Sequence, residues 1–232
     1  MRQTVYDIKN MFQDSAFLKK TVMIALPVAL QGMLNTMTNL VDNLMIGSLG
    51  STAIAAVGLA NKVFFVFSLL VFGVVSGSGV LAAQYWGNPD VKNIRRVLGL
   101  GLLISLTAAV AFLVPARLAP EMLMRIFTTS EESIRAGSAY LAVVALSYPC
   151  TAVSNTYVAM LRAINRVKAP VVISCAAILV NVVFNYTLIY GNFGAPALGV
   201  VGAALATLLA RVVEMCSLLA VVYIGKTPLA CR

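Results

Sequence analysis

The chain has 232 residues, of which 60% are hydrophobic and only 11% charged, with a formal net charge of +9 and no histidine. An ordinary soluble domain carries about 25% charged residues, so composition excludes one. The missing histidine excludes His-based acid–base catalysis, His metal sites and the Ser-His-Asp arrangement. No G-x-x-x-x-G-K-[ST] stretch provides for P-loop ATP hydrolysis. The reading is of a non-enzyme without cofactor, and an energised function would draw on an ion gradient.

The amino terminus, residues 1–20, carries acids and lacks a small-residue cleavage site, so it does not read as a secretory signal. Val5, Ile8, Met11 and Phe12 share a helical face that suits a cytoplasmic or interfacial segment as well as a mute terminus. Six long apolar runs follow, near 21–46, 60–84, 97–116, 136–161, 169–190 and 197–224. Runs of roughly 18 or more nearly uncharged residues predict membrane-spanning helices, because lipid offers no partner for unpaired backbone groups. The expected fold is an all-α integral membrane protein of six transmembrane helices over 21–225, with 226–232 as a cytoplasmic tail.

Cationic residues alternate with these runs. Arg2, Lys9, Lys19, Lys20, Lys92, Arg95, Arg96, Arg162, Arg166, Lys168, Lys226 and Arg232 fall on one side, against Arg117, Arg125 and Arg135 on the other. Lys and Arg accumulate in cytoplasmic loops, so both termini are expected in the cytoplasm, and the net charge needs no nucleic-acid partner. The expected location is the cell membrane, in multi-pass form. Lys62 reads as a snorkelling side chain near span 2. The glycines of 73–79 read as close-packing positions. Cys150, Cys175, Cys216 and Cys231 have no metal or redox spacing and read as packing residues.

Ionisable side chains inside a span cost about 2.5–3.5 kcal/mol each, so each needs a reason. In span 1, Gln31, Asn35, Thr38 and Asp42 follow i, i+4, i+7, i+11 on one helical face, with Asn39 flanking. Pro27 sits low in the same span, where it removes a backbone donor and can bend the helix. Span 5 aligns Ser174, Asn181 and Asn185. Span 4 aligns Tyr140, Ser147, Thr151 and Ser154, and span 6 aligns Thr207, Arg211 and Glu214. Span 1 enters from the cytoplasm, which places Asp42 in its outer part. Asn185 lies about 24 Å into span 5, and Thr207 about 15 Å down from the outside of span 6, at 1.5 Å per residue. Together with Tyr140 these can meet in an outer cavity. Arg211 and Glu214 fall deeper and are expected to pair with each other. Asn and Ser stripes also serve simply as glue between helices.

The stretches "ALPVALQGMLNTMTNLVDNLMIGSLGSTAIAAVGLANKV" (25–63), "GVLAAQYWGNPDVKNIRRV" (79–97), "LRAINRVKAP" (161–170) and "NVVFNYTLIYGNFGAPALGVVGAALAT" (181–207) resemble the amino-terminal half of multidrug and toxic compound extrusion (MATE) transporters. The resemblance implies one six-helix lobe of a two-lobed protein about twice as long. It implies export of cationic or amphipathic small molecules in exchange for H⁺ or Na⁺. By motif, Pro27 matches the bend in the first helix, Asp42 the ion-coupling acid and Asn181 a polar cavity residue. Tyr140 and Thr207 match more loosely. Many relatives carry an aspartate where this chain has Asn185, which leaves Asp42 as the expected lone carboxylate of the outer cavity. Na⁺ is the one metal ion this reading admits, at Asp42. The expected partners are the lipid bilayer, cationic substrates, and a missing carboxyl-terminal lobe or a second copy. A lipid-linked precursor flippase and an inactive half-length fragment are the alternatives.

Overall fold

The computed structural model describes residues 15–88, 90–225 and 227–230. Within the first helix it describes no side chain at positions 15–17, 20, 24, 27, 28 or 35. The expected amphipathic face of residues 5–12, and Cys231, lie outside the described residues.

Eight α-helices run through the described chain: α1 (Ser15–Gly47), α2 (Ser51–Gly87), α3 (Val91–Leu118), α4 (Pro120–Arg125), α5 (Glu131–Val144), α6 (Tyr148–Ala163), α7 (Lys168–Tyr190) and α8 (Gly199–Ile224). No strand occurs among the described residues. Five helical segments are long and apolar enough to cross a membrane: α2, α3, α5 with α6, α7 and α8. Helix α1, at 33 residues, carries the first predicted span.

The structure departs from the predicted boundaries where local chemistry extends or breaks a helix. α2 begins at Ser51 rather than near 60, because the Ala-rich segment 52–60 favours helix beyond the apolar run. α3 starts at Val91, capped by Asp90, whose Oδ1 accepts the Asn93 backbone N–H at 3.0 Å and whose Oδ2 accepts the Asn93 side-chain amide at 2.6 Å. That bonding holds the Asp90 carboxyl below its ordinary range. The predicted fourth span is two helices joined by a one-turn 3₁₀ segment, Ala145–Ser147. Pro149 has no N–H to give the carbonyl four residues back, which loosens the helix there. Short α4 was not anticipated; Pro120 opens it.

Two buried clusters fill the bundle. One surrounds Phe67, whose ring stacks on Tyr148 with centroids 4.8 Å apart and planes 12° from parallel. The other gathers Ile94, Leu98, Met160, Leu161 and Leu218. Leu229 of the tail is fully buried in this second cluster, and Arg95 Nε donates to the Pro228 carbonyl at 2.9 Å. Lys62 rests its ammonium 5.7 Å from the centroid of the Phe127 ring.

Helices α7 and α8 pack with little between their backbones. A Cβ added at Gly202 would lie 2.4 Å from the Leu188 carbonyl oxygen. The loop joining them turns through Gly191 in the left-handed region, and Leu198 N–H donates to Leu188 O at 2.9 Å. Helix α1 is held differently. Val22, Met23, Leu26, Leu30, Met33, Met37, Leu40 and Leu44 are all exposed along it; Ile46 and Met45 near its end pack into the first cluster, and the side-chain bonds from Gln31 and Asp42 tie the rest to α7.

Candidate functional site

Helices α1, α2, α5, α7 and α8 wall a cavity of about 510 Å³. It brings together Thr38, Asn39 and Asp42 of α1, Tyr140 of α5, Asn181 and Asn185 of α7 and Thr207 of α8, seven positions singled out in the sequence. The 3.6-residue period puts each set on one helical face, and depth brings the faces level. Asn181 and Asn185 are almost completely buried, as is Tyr140. Pro27 and Asn35 lie outside the described side chains.

The centre of the cavity is a short contact between α1 and α7. Asn185 Nδ2 donates to Asp42 Oδ1 at 2.5 Å and also approaches Asn181 Oδ1 at 3.2 Å. An amide therefore meets the acid where many relatives were expected to place a second carboxylate. The N–H satisfies Asp42 without a shared proton. Asn185 Oδ1 is buried with no hydrogen-bond partner among the described residues. Such an acceptor, left dry, is costly. Thr38 and Thr207 donate their hydroxyls to their own helices, at Leu34 O and Ala203 O, which leaves each oxygen's acceptor side to the cavity.

Two expectations change. Gln31 does not line this cavity. It lies on a second, more open cavity of about 900 Å³, bordered also by Phe72, Asn155, Thr151 and Arg162. There Gln31 Nε2 donates to Ser174 Oγ at 2.6 Å, and its Oε1 accepts from the Arg162 guanidinium. The reason is depth: Gln31 is three helical turns below Asp42, beyond the floor of the first cavity. Nor is Asp42 a lone carboxylate. Glu214 and Arg211 line the first cavity as well as the second. Their expected pairing is present, with Arg211 Nη1 donating to Glu214 Oε2 at 2.8 Å. Small residues on α8, Ala203 and Ala210, leave room for the cavity to extend down to them.

Three polar cavity residues were not singled out in the sequence: Asn43, Asn61 and Ser68. Asn61 and Ser68 are seven apart on α2, on one face with Phe64 between them, which is the signal that locates them. Ser174 was placed on the right face but not tied to Glu214, whose Oε1 accepts its hydroxyl at 2.9 Å.

A bundle of long apolar helices around a buried, polar, charge-bearing cavity defines a multi-pass membrane protein. The MatE family model matches residues 27–187, and the chain belongs to that family. It is 32% identical over 87% of its length to the probable multidrug resistance protein NorM of Bradyrhizobium diazoefficiens, covering 43% of that relative. It is 29% identical to the multidrug resistance protein PmpM of Pseudomonas aeruginosa, over 83% of this chain and 40% of the relative. Among solved structures, the outward-facing conformation of a multidrug resistance MATE family transporter of the MOP superfamily superposes with TM-score 0.80 at 25% identity. That match covers 88% of this chain and 45% of the other. The chain spans about half the length of the curated relatives it matches.

Proposed function

We propose that this chain forms the amino-terminal lobe of a gradient-driven exporter of cationic or amphipathic compounds, lying in the cell membrane with both termini cytoplasmic. Asp42 is the coupling acid, exchanging H⁺ or Na⁺ for substrate. The carrying observation is Asp42 within a bundle cavity, hydrogen-bonded to Asn185 and facing polar neighbours. Acids in membrane helices are rare and functional. The unpartnered Asn185 Oδ1 beside it is an oxygen acceptor suited to a cation or to a protonated Asp42. Tyr140, Asn181 and Thr207 complete the polar wall, and Phe64 and Phe65 give it an apolar side for an amphipathic guest. The names of the relatives, multidrug resistance proteins, support this reading. A second lobe, or a second copy of this one, closes the cleft on the side where α1 and α2 are exposed.

Ethidium accumulation in cells carrying the intact gene, with and without a protonophore, tests it. Asp42→Asn is expected to abolish gradient-dependent extrusion. Unchanged extrusion with unchanged protonophore sensitivity would remove Asp42 from the coupling step.

A further inference from the structure

The cavity places a permanent cation and the candidate coupling acid within one space. Asp42 and Arg211 both line it. An arginine is always protonated, so a free guanidinium here would act as a built-in competitor for any exchangeable cation. Glu214 stands three residues further along α8 and takes that guanidinium at 2.8 Å.

Glu214 is itself fixed from two other helices. It is 6% exposed, and its second oxygen accepts Ser174 Oγ from α7 at 2.9 Å. Ser174 in turn accepts from Gln31 of α1 at 2.6 Å, and Gln31 accepts from Arg162 of α6. The charged groups facing Glu214 are therefore Arg211 on its own helix, Arg162 through Gln31 from α6, and Asp42 across the cavity from α1. From α2 and α7 come neutral side chains, Asn61, Ser68, Ser174 and Asn185 among them. The Arg211–Glu214 pair cancels, so the cavity retains the single negative charge of Asp42.

We propose that Glu214 is a positioning residue that holds Arg211 away from Asp42 and so keeps Asp42 open to an exchangeable cation. This rests on the reading of Asp42 as the coupling acid. Arg211 lies one helical turn below Thr207, about 6 Å along the axis, so a released guanidinium can swing toward the level of Asp42. Loss of the Glu214 charge then makes an internal Asp42–Arg211 pair and neutralises the cavity.

Binding of ethidium to the purified product of the intact gene in lipid nanodiscs, read by fluorescence across pH and Na⁺ concentration, tests this in four variants. Glu214→Gln is expected to weaken binding by about tenfold, the scale of one unit charge felt across a partly screened cavity. Arg211→Gln is expected to leave binding equal or tighter, and Arg211→Gln with Glu214→Gln to return it close to wild type. Unchanged binding in Glu214→Gln overturns the proposal. So does weak binding in the double variant, which would make Glu214 a cation ligand in its own right. Weakening in Arg211→Gln overturns it too, as a merely structural ion pair would behave. That last variant keeps the proposal refutable even if Glu214→Gln does not fold. Asp42→Asn separates the two readings: weakened binding there with normal Glu214→Gln refutes this proposal alone, and unchanged binding there refutes both.

Discussion

Gly202→Ala is the most direct challenge to the packing that positions α7 and its two asparagines. The added methyl would sit 2.4 Å from Leu188 O, 2.7 Å from Leu188 C and 3.1 Å from Ile189 N. All three are backbone atoms, so no side chain can rotate out of the way. Ordinary contact begins near 3.4 Å, and the two helices would have to part by about 1 Å. A gap of that size forfeits about a quarter to a half of each dispersion contact along the interface. Overpacking costs about 1–3 kcal/mol where neighbours can adjust; with a rigid backbone in the way, the upper end or more is expected. The assay is the temperature at which the detergent-solubilised chain loses its monodisperse chromatographic peak. A fall of several degrees is expected, at about 2–4 °C per kcal/mol for a chain of this size. Gly99→Ala is the matched control, because a Cβ there meets nothing within 4 Å. Equal midpoints for the two variants would refute the close-approach reasoning.

Phe67→Ala removes a fully buried ring stacked on Tyr148 and bordered by Phe64 and Phe112. A loss of about 3 kcal/mol is expected, the low end for buried Phe, because lipid removes the water-transfer part of the cost; the same chromatographic midpoint reads it. Asp90→Ala removes the cap of α3, and faster hydrogen exchange of the first-turn amides is expected at neutral pH. Since bonding to Asn93 lowers the Asp90 carboxyl, its contribution is complete above the unfolded value of about 3.9 and fades as pH falls through the lower folded one. The difference between wild type and variant should therefore shrink only below about pH 3.9.

The sequence carried the fold well wherever one signal dominated. Long apolar runs located the spans, and the polar stripes on 38–42, 181–185 and 207 reached the same cavity. It carried less where two effects compete within a run. Pro149 divides the fourth span, yet its neighbours are apolar enough to read as continuous helix. Arg211 and Glu214 were seen as a pair, but their access to the cavity depends on the small size of Ala203 and Ala210 and on Ser174 arriving from α7. Those are tertiary facts with no period to announce them. Asn61 and Ser68 were legible in retrospect, being seven residues apart, and were hidden by the aromatic residues between them.

The way α1 is fastened has a mechanical consequence. It is pinned at Gln31, to Ser174 and Arg162, and again near its far end, where Asp42 meets Asn185 and Tyr190 bonds both Met45 O and Ser48. Between the pins, about 16 Å of helix carries no described side-chain bond to a neighbour. A beam held this way deflects at one end when the pin there is drawn, with the other pin as its fulcrum. One of the pins is the Asp42–Asn185 bond, so under the proposed reading of Asp42 a cation bound there would draw that pin chemically. Helix α7, packed closely on α8, is the frame that carries both pins.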